Sequence, residues 1–160
     1  MAGITEAQVT KLHFVATSVS LAGAAAIKTA ISSAKTVICL NELGEVNLGT
    51  KSVTEYQCMS SDETFKSLGS ISLGNFTPEL LYNAADVAGQ KDLRDMWEGN
   101  ERRQIIIELN DQITPTTGNP TYIHFEVAVS SPAMGITKGQ AVTYKPTVEI
   151  CTIPVVVPAT

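Results

Sequence analysis

RQIIIEL at residues 103–109 and TYIHFEVAVS at residues 121–130 are the stretches that decide the fold. In both, apolar and polar residues alternate, which is typical of a β-strand with one face turned to a core. Tyr122, His124 and Glu126 should then face outward. The residues on the inward face are Ile105, Ile107 and Leu109 in the first stretch and Ile123, Phe125, Val127 and Val129 in the second.

A third strand signal follows at AVTYKPTVEIC, residues 141–151. The segment ITKGQ at residues 136–140 contains a glycine and predicts a hairpin turn before this strand. The two prolines of the tail, residues 152–160, restrict that segment to a sheet edge or to a trailing extended stretch. The inward residues of the third strand are Val142, Tyr144, Val148 and Ile150.

A helix pattern occupies residues 77–99, TPELLYNAADVAGQKDLRDMWEG. Thr77 suits an N-cap and Pro78 suits the first helical position. Apolar residues then recur at spacings of three and four, which predicts one amphipathic helix of about twenty residues. The same pattern puts Asp92 on a solvated face and Trp97 on the apolar face.

The N-terminal part is predicted from weaker signals. Residues 1–9 are polar and are expected to form a flexible arm. Residues 11–19, KLHFVATSV, alternate and predict a strand, and the alanine-rich residues 22–34 predict a short helix. Residues 36–40, TVICL, predict a further short strand.

Residues 41–66 predict a long hairpin or loop arm, because two glycine-containing turns are followed by an alternating stretch. A separate strand with glycines at its ends is predicted at residues 68–74. The arm is acidic, and its carboxylates are the candidate functional residues of the chain. They are Glu42, Glu45, Glu55, Asp62 and Glu63.

Composition favours one compact domain over residues 1–160. The chain has a mass of 17.0 kDa, and 44% hydrophobic with only 17% charged residues argues against disorder. A net charge of -5 argues against a broad phosphate-binding face. Cys39, Cys58 and Cys151 are too few for a disulfide framework and are expected to be small buried hydrophobic residues.

FVATSVSLAGAAAI at residues 14–27 has the length of a signal-peptide core. Lys11 is the single basic residue before it and Glu6 precedes that lysine, which does not fit a secretion signal. The apolar run also falls short of the ~20 residues that a membrane span needs. We therefore expect a core strand followed by a helix, and no membrane insertion.

No catalytic, metal-binding or cofactor-binding motif emerges. His13 and His124 lie in different predicted strands without further ligands at metal-site spacing, so solvent-facing positions are expected for both. The stretch GEVNLGTKS at residues 44–52 has an extra residue relative to a phosphate-binding loop and a glutamate where phosphate would approach. The chain is therefore expected not to be an enzyme and to need no cofactor.

The order of elements predicts a mainly β fold of the α+β type, an antiparallel β-sandwich or half-barrel with one flanking α-helix. SLGSISLGNF at residues 67–76 runs into the helix of residues 77–100, then RQIIIELND follows at 103–111. The closing hairpin has SSPAMGITKGQ before its last strand and KPTVEI within it. Over roughly residues 35–157, this layout resembles the tail tube protein of long, non-contractile tailed bacteriophages.

The resemblance implies a structural virion protein. Six copies would form a ring, with sheets of neighbouring subunits joined into an inner β-barrel, and rings would stack into a tube around a tape measure protein. Tail terminator and tip proteins would be further partners, and DNA would later pass through the lumen without tight binding. The protein would assemble in the host cytoplasm and reside in the phage tail, where the acidic arm would line the lumen or contact a neighbouring subunit.

A second class of function stays open from the residues themselves. A monomeric extracellular β-sandwich, of the adhesin or carbohydrate-binding type, would have a similar strand content. Such a module would need a secretion signal and an exposed aromatic platform. The alternation of the strands does not distinguish the two classes.

Overall fold

The computed structural model describes residues 10–37, 39–57, 59, 64–85, 89–111 and 118–160. The predicted arm of residues 1–9 lies outside the described residues. The helices are α1 (Ala24–Ser33) and α2 (Gly89–Gly99). The strands are β1 (Lys11–Val15), β2 (Lys35–Thr36), β3 (Leu40–Glu42), β4 (Thr50–Gln57), β5 (Thr64–Ser72), β6 (Asn75–Phe76), β7 (Glu79–Leu81), β8 (Arg102–Glu108), β9 (Tyr122–Ser131), β10 (Met134–Gly135), β11 (Thr143–Tyr144), β12 (Thr147–Ile150) and β13 (Val155–Val157).

The predicted mainly β, antiparallel fold is confirmed. The described strands form a large sheet in the order β2-β1-β8-β9-β12-β6, with β13 also paired to β9, and a small sheet in the order β10-β11-β7-β3. At the centre of the large sheet β8 pairs with β9, and Ile105 lies opposite Phe125. These residues and Val127 are buried in one cluster, as their alternation predicts.

Both faces of the large sheet are covered. One face packs on α2 through Leu93 and Met96, which belong to the main core. The other face packs on α1, where Ile27 and Ile106 are fully buried. Tyr122, predicted to face outward, is only 2% exposed because it joins this second cluster. The short helix predicted at residues 22–34 is thus present and closes the second face.

The predicted helix start at Thr77 is wrong. Residues 79–81 form β7, which pairs with β3 and β11, and its central residue Leu80 is fully buried. Burial and pairing from two neighbouring strands outweigh the local capping signal. Among the described residues the helix begins at Gly89, where an added Cβ would come within 2.5 Å of the Val37 Cα. This close approach explains the glycine.

The closing hairpin connects the two sheets. Its outer part, β9 with β12, belongs to the large sheet, and its tip, β10 with β11, belongs to the small sheet. The tip turns at residues 137–140, with the Gln140 N–H donating to the Thr137 carbonyl at 3.1 Å and Gly139 at φ +80°. The predicted turn is confirmed, but the predicted third strand is divided at buried Pro146.

His13 is buried, contrary to the expected solvent-facing position. Its ring nitrogens lie 2.8 Å from the Thr36 Oγ1 and 2.9 Å from the Glu108 Oε2. Burial lowers its pKa, and this effect outweighs the Glu108 hydrogen bond, which acts in the opposite direction. The alternation placed His13 correctly on the second face, but that face is covered by α1.

Two other expectations fail. Cys39 is exposed and Cys151 is half-buried, so neither is a fully buried hydrophobic residue; Cys58 lies outside the described residues. Trp97 is 45% exposed, because the core side of α2 is formed by Leu93 and Met96. In the described part of the chain, no helix has the length and hydropathy needed to cross a membrane.

Coverage of both faces predicts the effect of substitutions in β8. Ile106→Ala should lower the free energy of unfolding by about 2–4 kcal/mol, as much as Ile105→Ala, because each leaves a cavity in a packed cluster. Val156→Ala, at a half-exposed position, should cost less than about 1 kcal/mol. Chemical denaturation measures all three, and an Ile106→Ala effect as small as that of Val156→Ala would contradict the described packing.

The burial of His13 predicts a pH dependence. Because the folded pKa lies below the unfolded value of about 6.5, the unfolded state binds the proton more readily. The free energy of unfolding should therefore fall as the pH is lowered through about 6.5, and His13→Gln should flatten this dependence. The pKa of His124 is also lowered by burial, so His124→Gln should remove its own part of the slope, and the double variant should be flatter than either single variant. Equal slopes for wild type and His13→Gln between pH 5.5 and 7.5 would refute the assignment.

Candidate assembly surface

Strands β4 and β5 form a two-stranded antiparallel hairpin that is separate from both sheets. Every residue of the two strands is exposed. An isolated two-stranded hairpin is marginally stable in water, and further strands or a packed face are needed for independent stability. Within the described part of the chain, the hairpin therefore lacks the cover that such a structure needs.

Both faces of the hairpin carry apolar side chains. Val53 lies opposite Leu68, and Tyr56 lies opposite Phe65. Since side chains alternate along a strand, these two pairs point to opposite faces. Their exposed fractions are 54% and 65% for the first pair and 58% and 57% for the second. Apolar cross-strand pairs that are exposed on both faces of a hairpin favour interaction with another surface.

The hairpin overlaps the predicted arm of residues 41–66 and extends beyond its end. Its second strand, β5, includes most of residues 68–74, which were predicted as a separate strand. The register shifts between Lys51 and Val53, and an added Cβ at Gly69 would lie 2.2 Å from the Ser52 Oγ. Gly69 therefore permits a β-bulge within the hairpin and does not mark the end of a separate strand.

The base of the hairpin is held by the core. Leu43, Val46 and Leu73 pack against the main cluster on either side of the hairpin. Gly44 adopts φ +77°, and an added Cβ there would lie 3.2 Å from the Thr77 carbonyl oxygen. These contacts fix the direction in which the hairpin leaves the body.

The candidate carboxylates do not share one described element. Glu42 lies in β3 of the small sheet, Glu45 lies in the loop before the hairpin, and Glu55 lies in β4. Asp62 and Glu63 lie outside the described residues. Glu55 pairs with Lys66 at 2.8 Å. Within the described chain, the exposed Glu42 and Glu45 have no ion-pair partner. Sequence reasoning found these charges but missed the apolar pairs beside them.

Free strand edges add to the surface. The small sheet ends at β3 on one side and at β10 on the other, and β13 lies at an edge of the large sheet. Val155 and Val156 of β13 are each about half exposed. Unpaired edges of this kind favour pairing with another chain.

Charged contacts tie the small sheet together next to these edges. Glu79 of β7, which lies opposite Glu42, accepts hydrogen bonds from Lys145 and, at 3.0 Å, from the Asn41 Nδ2. These two donors, Lys145 foremost, hold the pKa of Glu79 below its usual value. The negative charge of Glu79 is thus satisfied internally, in contrast to that of Glu42.

Asp92 is part of a buried clamp and not of a solvated helix face. Its Oδ1 lies 2.9 Å from both the Lys35 Nζ and the Arg103 Nη1, and its side chain is 2% exposed. The clamp joins α2 to β2 and β8, which fixes the helix against the sheet. In the described residues, no group of three or more His, Cys, Asp or Glu is placed to hold a metal ion.

No family model matches this sequence, and no curated protein matches it significantly. Solved structures do match. A chain in the 6-fold symmetrised cryo-EM structure of the anti-feeding prophage (AFP) baseplate superimposes with a TM-score of 0.70 at 10% identity, covering 99% of this chain and 98% of that chain. The SPP1 tail tube gives a TM-score of 0.67 at 13% identity, covering 97% of this chain and 80% of that chain.

A chain in the PVC sheath/tube terminator of an extracellular contractile injection system gives a TM-score of 0.67 at 12% identity, covering 96% of each chain. At these identities the likeness establishes the fold. The chain thus has the fold of tail-tube, terminator and baseplate components of phage-like particles. Because a phage tail tube and contractile systems match alike, the fold does not select long non-contractile tails.

The exposure of the hairpin predicts its behaviour in solution. In dispersed subunits, the amides of β4 and β5 should exchange with solvent about 100-fold faster than those of β8 and β9, because few buried contacts oppose local opening. Hydrogen–deuterium exchange at the peptide level measures this directly. Equal protection of the hairpin and the central strands in a verified monomer would show that the hairpin is stable alone.

Proposed function

We propose that this chain is the structural subunit of a phage-type tail tube. The observation that carries the proposal is the hairpin of β4 and β5, which exposes apolar side chains on both faces and is not covered by the described residues of the subunit. The partner that covers the hairpin is a second copy of the same chain. The fold likeness to tube components supports the same conclusion.

The assembly is a ring of six copies, and rings stack into a tube. A heterologous interface that closes into a ring leaves no free edge, so ring closure would pair the edges at β3, β10 and β13. Sheets of neighbouring subunits would then form a continuous inner barrel. The hairpin would lie on a neighbouring subunit and bury its two apolar pairs there.

The lumen of this tube holds a tape measure protein and later conducts DNA into the host cell. A net charge of -5 suits a wall that repels phosphate, since cationic walls bind DNA by counterion release. Glu42, Glu45, Glu55, Asp62 and Glu63 are the candidates for this wall or for the contact between subunits. Tail terminator and tip proteins would close the ends, and the assembled protein would reside in the virion after assembly in the host cytoplasm.

The finer assignment is a tail tube of the long, non-contractile type, as the sequence resemblance implies.

A monomeric extracellular binding module is disfavoured, because a hairpin with two uncovered apolar faces would promote aggregation of a protein that works alone. Structural work of this kind needs neither a catalytic centre nor a cofactor.

Polar substitution of one apolar pair tests the proposal. Val53→Ser with Leu68→Ser should abolish rings and tubes, because the buried area at the subunit contact is lost. The subunit should stay folded with an unchanged midpoint of unfolding, since both side chains are exposed in it. Negative-stain microscopy and size-exclusion chromatography measure assembly.

The matched control is Thr54→Ser with Ser67→Thr, an exchange at the adjacent cross-strand pair that keeps its polarity. This variant should assemble like the wild type. Tubes of normal length from the Val53 and Leu68 variant would remove the hairpin from the interface. A wild-type chain that stays monomeric at high concentration would overturn the proposed function itself.

A further inference from the structure

A small pocket lies between α2 and the small sheet. Tyr82, Gln90, Lys91, Arg94, Met134 and Tyr144 contribute to its lining. Its volume is about 100 Å³. A pocket of this size suits a single side chain of another protein.

Tyr144 lines this pocket and carries an unused hydrogen-bond donor. Its ring belongs to the main core and the residue is 7% exposed. Its hydroxyl oxygen is buried and has no hydrogen-bond partner among the residues that the structure describes. Burial raises the pKa of Tyr144, so the group stays protonated and can donate. A buried hydroxyl without a partner lowers stability, and an acceptor from outside the subunit would remove this cost.

Arg94 also lines this pocket and brings a positive charge to it. The charges of Arg94 and Glu98 act on the ionisation of Tyr144 in opposite directions. Arg94 is about half exposed, and its contact with Glu98 is loose, with 4.0 Å between the Nε and the Oε1. Several guanidinium donors are thus available at the pocket. Lys91, in contrast, is paired with Asp95.

The walls of the pocket are partly apolar. Met134 and Tyr82 are each about half exposed at its rim. A neutral donor, a cation and apolar walls together fit an aliphatic stem that ends in a carboxylate. A glutamate side chain has this form.

The small sheet indicates where such a glutamate comes from. The pocket lies beside β10 and β11, and the opposite edge of the same sheet is β3. If the free edges of the small sheet pair head to tail between copies, the β3 edge of one copy meets the β10 edge of the next. Glu42 lies in β3 and Glu45 follows it, and both are exposed without an ion-pair partner in the described residues.

We propose that this pocket binds the carboxylate of Glu42 or Glu45 from a second copy of the chain. The Tyr144 hydroxyl and the Arg94 guanidinium donate hydrogen bonds to that carboxylate, and Met134 covers its stem. The contact fixes the register of neighbouring subunits along the small sheet. This inference rests on the proposed function and names the contact that positions one subunit on the next.

Tyr144→Phe is the sharpest test, because it removes the hydroxyl and keeps the ring in the core. The dispersed variant should be as stable as the wild type or more stable, since the lost group had no internal partner. The subunit concentration at half assembly should rise about fivefold, which corresponds to the loss of one hydrogen bond. Arg94→Gln should raise it by at least as much and weaken its dependence on salt. Arg102→Gln, at an exposed arginine outside the pocket, is the control.

Charge exchange tests the occupant. Arg94→Glu should prevent assembly, and one of the two second substitutions, Glu42→Arg or Glu45→Arg, should restore it by reversing the charge that enters the pocket. Rescue by Glu55→Arg alone would assign the carboxylate to the hairpin and overturn the choice of β3. Normal assembly of both Tyr144→Phe and Arg94→Gln, alongside an assembling wild type, would overturn the pocket contact and leave the proposed function standing. A monomeric wild type would overturn both.

Discussion

The pairing of β8 with β9 is the interaction on which the rest of the structure depends. These strands run side by side over seven residues of β8, and their side chains enter a core on each face of the sheet. The side chains of Ile105 and Ile107 are buried in the cluster on one face of the sheet, and that of Ile106 is buried in the cluster on the other face. Each helix then covers one face, so that the centre of the sheet is dry on both sides. A β-strand with three consecutive buried isoleucines leaves little freedom for register, because a slip of one residue would exchange the two faces.

The molecule consists of a body, formed by the two sheets and the two helices, and of the separate β4–β5 hairpin. The body pairs its buried charges internally, as the Asp92 Oδ1 clamp and the His13 contacts illustrate. The hairpin of β4 and β5 instead leaves apolar pairs open to solvent on both faces. This contrast between the body and the hairpin is the basis of the proposed assembly. The Tyr144 hydroxyl, which is buried without a hydrogen-bond partner among the described residues, is a second group that the proposed assembly would satisfy.

Much of the body could be predicted from the sequence, because burial of one face leaves a period-two pattern. The inward residues of β8, β9 and β12, and the turn at residues 137–140, follow from it directly. The helix start at Thr77 could not be predicted, since β7 owes its conformation to partners that are distant in the chain. His13 and Tyr122 were misplaced for a related reason, because alternation cannot show that α1 covers the second face. At the candidate site, the charges of Glu42 and Glu45 could be predicted from the sequence. The exposure of Val53 and Leu68 could not be predicted, because a buried strand and an uncovered hairpin show the same alternation of residues.

The division of the closing hairpin between two sheets has a mechanical consequence. The backbone passes from β9 to β10 and returns from β11 to β12 without a flexible linker, and the Lys145 N–H donates to the Ala133 carbonyl at 2.7 Å across the passage. A force applied at the free edge of the small sheet is therefore transmitted along covalent backbone into the central strands. Separating the two sheets would therefore require breaking the hydrogen bonds between the strands of the closing hairpin. A subunit built in this way transmits tension from one sheet to the other through its backbone.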